Sequence, residues 1–290
     1  MKWKGVILAG GNGTRLYPST LSISKQLIPI YDKPMIFYSL SILMYAEIRD
    51  ILIITTERDY DSFRRLLGDG SSYGISINYK VQKNPKGLPD AFIIGEEFIG
   101  VDNVCLVLGD NFFYGQGFKD YLINAKLRET GATIFGYKVN NPSDFGIIET
   151  DKSGSILSIE EKPKHPKSSM AIPGLYFFDN KSVNKSKILK PSIRGELEII
   201  SLLQSYLNEE ELYMDDFGRG FAWLDTGSHS SLLEASHFVE TIEKRQGLKI
   251  ACLEEIAWRN DWICTEQLLK EAKKYSNSTY GDYIIKIANE

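Results

Sequence analysis

Short apolar runs cut off by glycine or proline alternate, through the first half of the chain, with stretches whose apolar residues recur at helical spacing. Val6-Ile7-Leu8-Ala9, Ile51-Leu52-Ile53-Ile54, Ile75 to Val81 and Val104-Cys105-Leu106-Val107-Leu108 read as buried strands. Met35 to Ala46, Tyr60 to Leu67 and Ala91 to Phe98 read as helices, the first entered at Asp32-Lys33-Pro34 with proline in its opening turn. Strands alternating with helices imply right-handed crossovers and an α/β fold with a mainly parallel, doubly wound sheet. The ligand crevice of such a sheet lies at the carboxyl ends of its strands.

The pattern changes after Ala132 to Val139. Gly146-Ile147-Ile148-Glu149, Ile156-Leu157-Ser158-Ile159-Glu160 and Gly174-Leu175-Tyr176-Phe177-Phe178 are short runs with turn residues between them, which implies added mixed or antiparallel pairing. Arg194-Gly195-Glu196-Leu197-Glu198-Ile199 opens a helix, with Glu198 early enough to suit the macrodipole. Phe221 to Gly227 is a strand that ends in a carboxylate and a glycine, and Ser228 caps a long helix toward Gln246 with Leu232, Leu233 and Ala235 on its core face. The tail from Lys249 to Glu290 is helical and amphipathic in patches, with Tyr280-Gly281-Asp282-Tyr283 as a break. No repeat or low-complexity linker divides the chain.

Three strand ends carry candidate chemistry. After the first come Gly10, Gly11 and Gly13, three glycines within four residues, followed by Thr14 and Arg15. Glycine permits left-handed dihedrals that aim successive N–H groups at an anion, and Arg15 adds a cation. Neither the Lys-Ser/Thr pair of a Walker A loop nor the last glycine of a dinucleotide fingerprint is present, since Leu16 stands in the latter place. Gln82 to Gly87 follows the third strand and Gly109-Asp110-Asn111 the fourth, so all three segments crowd one edge. Asp110 is the carboxylate placed to meet a ligand there, whereas Asp69, in Leu67-Gly68-Asp69-Gly70, follows a helix and reads as a structural turn residue. Glu160-Glu161-Lys162-Pro163 is a charged turn that on charge alone would be solvated surface.

Composition narrows the classes. The 290 residues suffice for one large α/β domain or two small ones, and a net charge of -4 argues against broad attraction to nucleic acid or to an anionic membrane. Three cysteines, Cys105, Cys252 and Cys264, form no Cys-x-x-Cys and suggest neither a disulfide framework nor a zinc site, which fits a reducing cytoplasm. No apolar run approaches the roughly 20 residues of a spanning helix, and Met1-Lys2-Trp3-Lys4 leads straight into a strand without a signal-peptide core. His165, His229 and His237 sit in no arrangement with Ser, Cys or Asp that would make a nucleophile.

Seven motifs then fall in order. Leu8-Ala9-Gly10-Gly11-x-Gly13-Thr14-Arg15-Leu16, Ser24-Lys25-Gln26-Leu27-x-Pro29, Val107-Leu108-Gly109-Asp110-Asn111, Glu160-Glu161-Lys162-Pro163, Gly174-Leu175-Tyr176, Arg194-Gly195-Glu196-Leu197-Glu198-Ile199 and Trp223-Leu224-Asp225-Thr226-Gly227 together resemble the sugar nucleotidyltransferases, over nearly the whole chain. The resemblance implies a Rossmann-like sheet of the nucleotidyltransferase type with extra antiparallel strands and a C-terminal helical extension. It implies a core over 1–240, with a nucleotide half over about 1–130 and a sugar-phosphate half over about 131–240, and an extension over 241–290 packed on that core.

The reaction so implied joins a nucleoside triphosphate to a sugar 1-phosphate and releases pyrophosphate. Order and spacing are most similar to members that take dTTP and glucose 1-phosphate. By the resemblance, Asp110 and Asp225 hold Mg²⁺, Arg15 and Lys25 neutralise the leaving group, and Lys162 and Arg194 hold the sugar phosphate. Gly10, Gly11, Gly13 and Thr14 cradle the triphosphate, and Gln26 and Asn111 lie in the substrate site. Gln82 and Gly87 read the base, and Gly146, Glu161 and Ile172 contact the sugar. Phe145, Pro89 and Pro173 depart from the family pattern beside the sugar and base contacts. The resemblance further implies a homotetramer, with a regulatory nucleotide site lined by Arg219, Glu255 and Ile256. Two alternatives stay open: a transferase for UTP or an amino-sugar phosphate, and a non-catalytic nucleotide-sugar sensor.

Overall fold

The computed structural model describes residues 2–193 and 195–290. A ten-stranded sheet runs through its centre. Ser76–Val81, Asp50–Thr55, Trp3–Ala9 and Asn103–Leu108 lie side by side and parallel. Leu175–Phe178 pairs antiparallel with Asn103–Leu108 on one side and with Ala132–Lys138 on the other. Leu212–Asp216 joins Ala132–Lys138 in parallel, and Met170–Ala171, Gly146–Thr150 and Ile156–Glu161 extend that edge antiparallel. This is the mainly parallel α/β sheet with added antiparallel strands that the pattern predicts.

The continuous apolar runs follow from burial on both faces. Val6, Leu8, Leu52, Ile54, Val104 and Leu106 point into one cluster, with Phe92, Leu202, Leu203 and Tyr206 from the covering helices. Their alternates Ile7, Ile51, Ile53, Cys105 and Val107 point into the other, beneath Phe37, Leu40, Leu43 and Phe63. A period of two with no polar face is what a doubly covered parallel sheet requires.

Several local readings are corrected. Asp32-Lys33-Pro34 is no helix entry: Lys33–Pro34 pairs with Pro29–Ile30 in a small hairpin, and the helix is Ile36–Tyr45. Lys33 is buried there because its ammonium is ion-paired with Asp32 and Glu243, a long-range pairing that local sequence does not reveal. Ala91 to Phe98 is two short helices, Asp90–Ile94 and Glu96–Ile99, divided at Gly95. The helix expected to open at Arg194 is Ile199–Leu207, with Glu198 extended at its N-cap, and Arg194 itself lies outside the described residues. Ser228 does cap a helix, His229–Gln246, accepting from the Ser231 amide, yet of its expected core face Ala235 is buried and Leu233 is 58 % exposed. Asp69 is the turn residue expected, accepting from Ser71 N and Oγ.

The C-terminal helices Leu253–Arg259, Thr265–Ala272 and Thr279–Ala288 place Leu253, Ile256, Leu268, Ile284 and Ile287 in the same cluster as Phe37 and Leu40. Tyr280-Gly281-Asp282-Tyr283 is not a break but the first turns of the last helix, capped by Ser278 Oγ, which accepts from Gly281 N. Gly281 is there for space: a Cβ would stand 2.4 Å from the Tyr275 carbonyl oxygen. Helix propensity alone favours Gly281→Ala by about 1 kcal/mol. The collision is with backbone, so urea unfolding is expected to show the variant destabilised by about 1–3 kcal/mol instead; a stabilised variant would refute the packing.

Candidate active site

The parallel strands deliver their carboxyl ends to one edge, and the glycine loop follows the first of them, Trp3–Ala9. Gly11 has φ 121° and Gly13 has φ 58°, values that L side chains rarely adopt. Thr20 Oγ1 donates to the Gly13 carbonyl at 2.7 Å, and fully buried Leu16 anchors the turn Thr14–Leu16. Between these anchors Arg15 is exposed, and its guanidinium lies against Gly227, where a Cβ would be 2.7 Å from a terminal nitrogen. Gln26 is buried. Its Oε1 accepts from Ser24 Oγ at 2.7 Å, and its Cγ rests on Gly109.

Two strands create the centre of the site. Asn111–Tyr114 and Ala222–Asp225 form an antiparallel ribbon apart from the main sheet, with Asp225 opposite Asn111 and thus beside Asp110. Thr226 donates to the Asp110 carbonyl twice, from its N–H at 3.2 Å and its Oγ1 at 2.7 Å. Asn111 is buried, and its Oδ1 accepts from Trp223 Nε1 at 2.7 Å and from Gly174 N at 2.9 Å. Its amide NH₂ therefore faces Asp110 and donates to Oδ1 at 3.1 Å. Lys25 is ion-paired with the other carboxylate oxygen of Asp110.

The electrostatics follow from this crowding. Burial would push Asp110 up, but the Lys25 ammonium and the Asn111 amide hold it below the usual carboxylate range. Burial and then the Asp110 charge push Asp225 above that range, against the pull of Lys25, Arg15 and Lys162. Two carboxylates, one ionised at the expense of the other, are the donor set that a hard divalent cation suits. Among the described residues no three His, Cys, Asp or Glu side chains gather as a metal cage. Mg²⁺ needs none, because it is commonly held by one or two carboxylates with phosphate and water oxygens completing the shell.

A cavity of about 280 Å³ opens from the two aspartates, walled by Arg15, Gly87, Asn111, Gly146, Glu161, Lys162 and Ile172 among others. Lys162 has φ 45° and donates its N–H to the Phe145 carbonyl at 3.0 Å, a strained backbone of the kind stored at ligand sites. Phe145 packs edge-on against Trp223, centroids 5.1 Å apart. Overhead, Gly87 bridges to Leu197, and Leu197 N donates to the Lys86 carbonyl at 2.7 Å. A Cβ at Gly87 would lie 2.0 Å from the Leu197 carbonyl oxygen, so only glycine passes there.

Gly10, Gly11, Gly13, Thr14, Lys25, Gln26 and Gln82 do not wall this cavity; Lys25 meets it through Asp110, and Gln82 lies against Gly10 of the glycine loop. Arg194 lies outside the described residues. Arg219, Glu255 and Ile256 are elsewhere: Arg219 is exposed, Ile256 is in the core, and Glu255 accepts from Tyr283 OH at 2.6 Å and Arg259 Nε at 2.7 Å. A second cavity of about 360 Å³, between Tyr38, Tyr45, Tyr114, Lys119 and Ile250, is walled by none of the three. Sequence reasoning gave no role to Trp223 or Thr226 as side chains. Their place in the last motif was the available signal, and only the ribbon pairing shows what they grip.

A model of the nucleotidyl transferase family matches residues 4–242. A glucose-1-phosphate thymidylyltransferase of Neisseria meningitidis is 58 % identical over 284 residues, covering 98 % of this chain and 99 % of that one. One of Mycobacterium tuberculosis is 52 % identical over 284 residues, covering 98 % of both. A Bacillus anthracis structure described as a glucose-1-phosphate thymidylyltransferase in complex with a sucrose aligns with TM-score 0.76 at 38 % identity, over 81 % of this chain and 94 % of that one. A UDP-glucose pyrophosphorylase with UDP-glucose shares the fold, at TM-score 0.72 and 24 % identity over 83 % of this chain and 100 % of that one.

The Asn111 junction is open to a direct check. Asn111→Asp keeps the shape but sets a second carboxylate against Asp110 Oδ1. One of the pair must then hold a proton in the folded chain at a pH where the unfolded chain has released it, so stability is lost as pH rises through the carboxylate range. Urea unfolding is expected to show a deficit of about 2 kcal/mol at neutral pH that shrinks toward about pH 4. A deficit independent of pH would contradict the contact.

Proposed function

The chain belongs to the nucleotidyl transferase family, and within it we propose that it transfers a thymidylyl group from dTTP to α-D-glucose 1-phosphate, giving dTDP-glucose and pyrophosphate. The observation that carries this reading is the meeting of Asp110 and Asp225 in the wall of one cavity together with Arg15, which follows the glycine loop, and Lys162. Thymidylyl transfer is the activity in the names of relatives that cover this chain end to end.

In this reaction an oxygen of the sugar phosphate forms a bond to the α-phosphorus while the bond from that phosphorus to the bridging oxygen of pyrophosphate breaks. A phosphate monoester is largely dianionic at neutral pH, with its second pKa about 6, so no side chain need remove a proton. The difficulty is bringing two polyanions together, and the residues present suit that task. Gly10, Gly11, Gly13 and Thr14 offer N–H groups to the triphosphate, with Arg15 alongside. Lys25, ion-paired with Asp110, serves the α-phosphate and the departing charge. Lys162, with Arg194, holds the sugar phosphate, and Glu161 serves as a charge-assisted acceptor for sugar hydroxyls.

Asp110 and Asp225 would hold Mg²⁺, which when bound supplies positive charge to the phosphate oxygens. Their role follows from the donor chemistry already described: Lys25 keeps Asp110 ionised, and Asp225 is the carboxylate whose proton affinity burial and the Asp110 charge raise, a repulsion that a bound cation would relieve. Thr226, Asn111 and Trp223 keep the pair in register.

Pyrophosphate release is the assay. With Mg²⁺ present, turnover is expected to be fastest for dTTP with glucose 1-phosphate in a panel that includes UTP and glucosamine 1-phosphate. Asp110→Asn is expected to lower kcat by about 10³-fold or more at saturating substrate. Near-normal turnover in that variant would remove the metal assignment, and no pyrophosphate with any pair would remove the reaction.

A further inference from the structure

Gln82 follows the strand Ser76–Val81 at the carboxyl edge of the sheet, and its backbone N–H donates to the Thr55 carbonyl at 2.8 Å. Its side chain is nearly buried. Nε2 donates to Oδ2 of Asp90 at 2.9 Å, and Asp90, equally buried, sits in the first turn of Asp90–Ile94. The amide oxygen lies on the glycine-loop side, where a Cβ on Gly10 would be 2.9 Å from Oε1. Among the described residues no donor reaches Oε1, and that atom is not sealed from solvent.

A carboxylate accepts hydrogen bonds and donates none. The Asp90 contact therefore decides which end of the amide is which, because turning Gln82 over would press oxygen against oxygen where both are shielded from water. We propose that Asp90 is a positioning residue which locks Gln82 with its acceptor toward the nucleotide, and so makes the site selective for bases with an imide N–H, thymine and uracil, over cytosine. The inference rests on the pyrimidine triphosphate of the proposed reaction. In thymine and uracil the ring N3 carries a proton that Oε1 accepts. In cytosine N3 is a lone pair, and it meets an oxygen that cannot turn away. Sites that leave a polar group unpaired reject the wrong ligand far more strongly than sites that differ by a methyl group.

Dissociation constants for dTTP, UTP and dCTP, measured by calorimetry apart from turnover, test this in the parent, in Asp90→Asn and in the double variant Asp90→Asn/Gln82→Glu. Asparagine offers residue 82 either an oxygen or an NH₂, which frees the amide to turn. Asp90→Asn is expected to cut the preference for dTTP over dCTP by about tenfold or more, to leave the ratio of dTTP to UTP unchanged, and to keep kcat at saturating dTTP. Gln82→Glu then restores an acceptor-only group held by the asparagine NH₂, and the preference over dCTP is expected to recover even if affinity falls. A loosened loop would not produce that recovery. Equal binding of dTTP and dCTP by the parent, an unchanged preference in Asp90→Asn, or no recovery in the double variant would each overturn the proposal. A parent that prefers dTTP but releases no pyrophosphate would sink the reaction and leave the role of Asp90 standing.

Discussion

Asp110 and Asp225 repel each other, and the structure around them consists largely of what is needed to keep them together. The backbone does most of this. Thr226 clasps the Asp110 carbonyl from two sides, and the ribbon register fixes Asp225 opposite Asn111. Asn111 is pinned in turn by Trp223 and Gly174, which leaves its NH₂ no direction but toward Asp110. With the main chain held this firmly, side-chain repulsion cannot relax by movement and appears instead as the raised proton affinity of Asp225.

The cations are arranged to suit that frame. Lys25 already neutralises Asp110, while Arg15 and Lys162 reach Asp225 only through their fields. The strained φ of Lys162 and the glycine-only crossing at Gly87 are local costs accepted at the same place. Sites that demand unusual backbone are where strain concentrates, and the sheet beneath is regular enough to carry it.

Much of this was legible in the sequence because it is local. Apolar runs with no polar face marked the doubly covered strands, and three glycines after the first marked the loop. What was hidden depended on partners distant in the chain. Lys33 looked like the approach to a helix because nothing nearby shows that Glu243 awaits it. Gly281 looked like a break because glycine usually is one, whereas here it makes room for the Tyr275 carbonyl. Asn111–Tyr114 escaped notice because four residues carry little periodicity, and its ribbon partner lies more than a hundred residues away. Gln26 was legible only as a motif residue expected at the substrate; that its Oε1 accepts from Ser24 Oγ and its Cγ meets Gly109 depends on folded contacts that the motif does not show.

The clasp between Thr226 and Asp110 spans 116 positions of the polypeptide. During synthesis at about 5–20 residues per second, the first aspartate is made several seconds before its clasp exists. Early strands can pair meanwhile, since their contacts are closer in sequence, but the anionic pocket has no second wall until the later segment arrives and closes a long loop. A truncated chain that stops short of the ribbon would therefore keep a nascent sheet and an anion loop, yet present a single carboxylate neutralised by one lysine. Competence for chemistry is thus acquired late and all at once, as a property of the nearly finished chain.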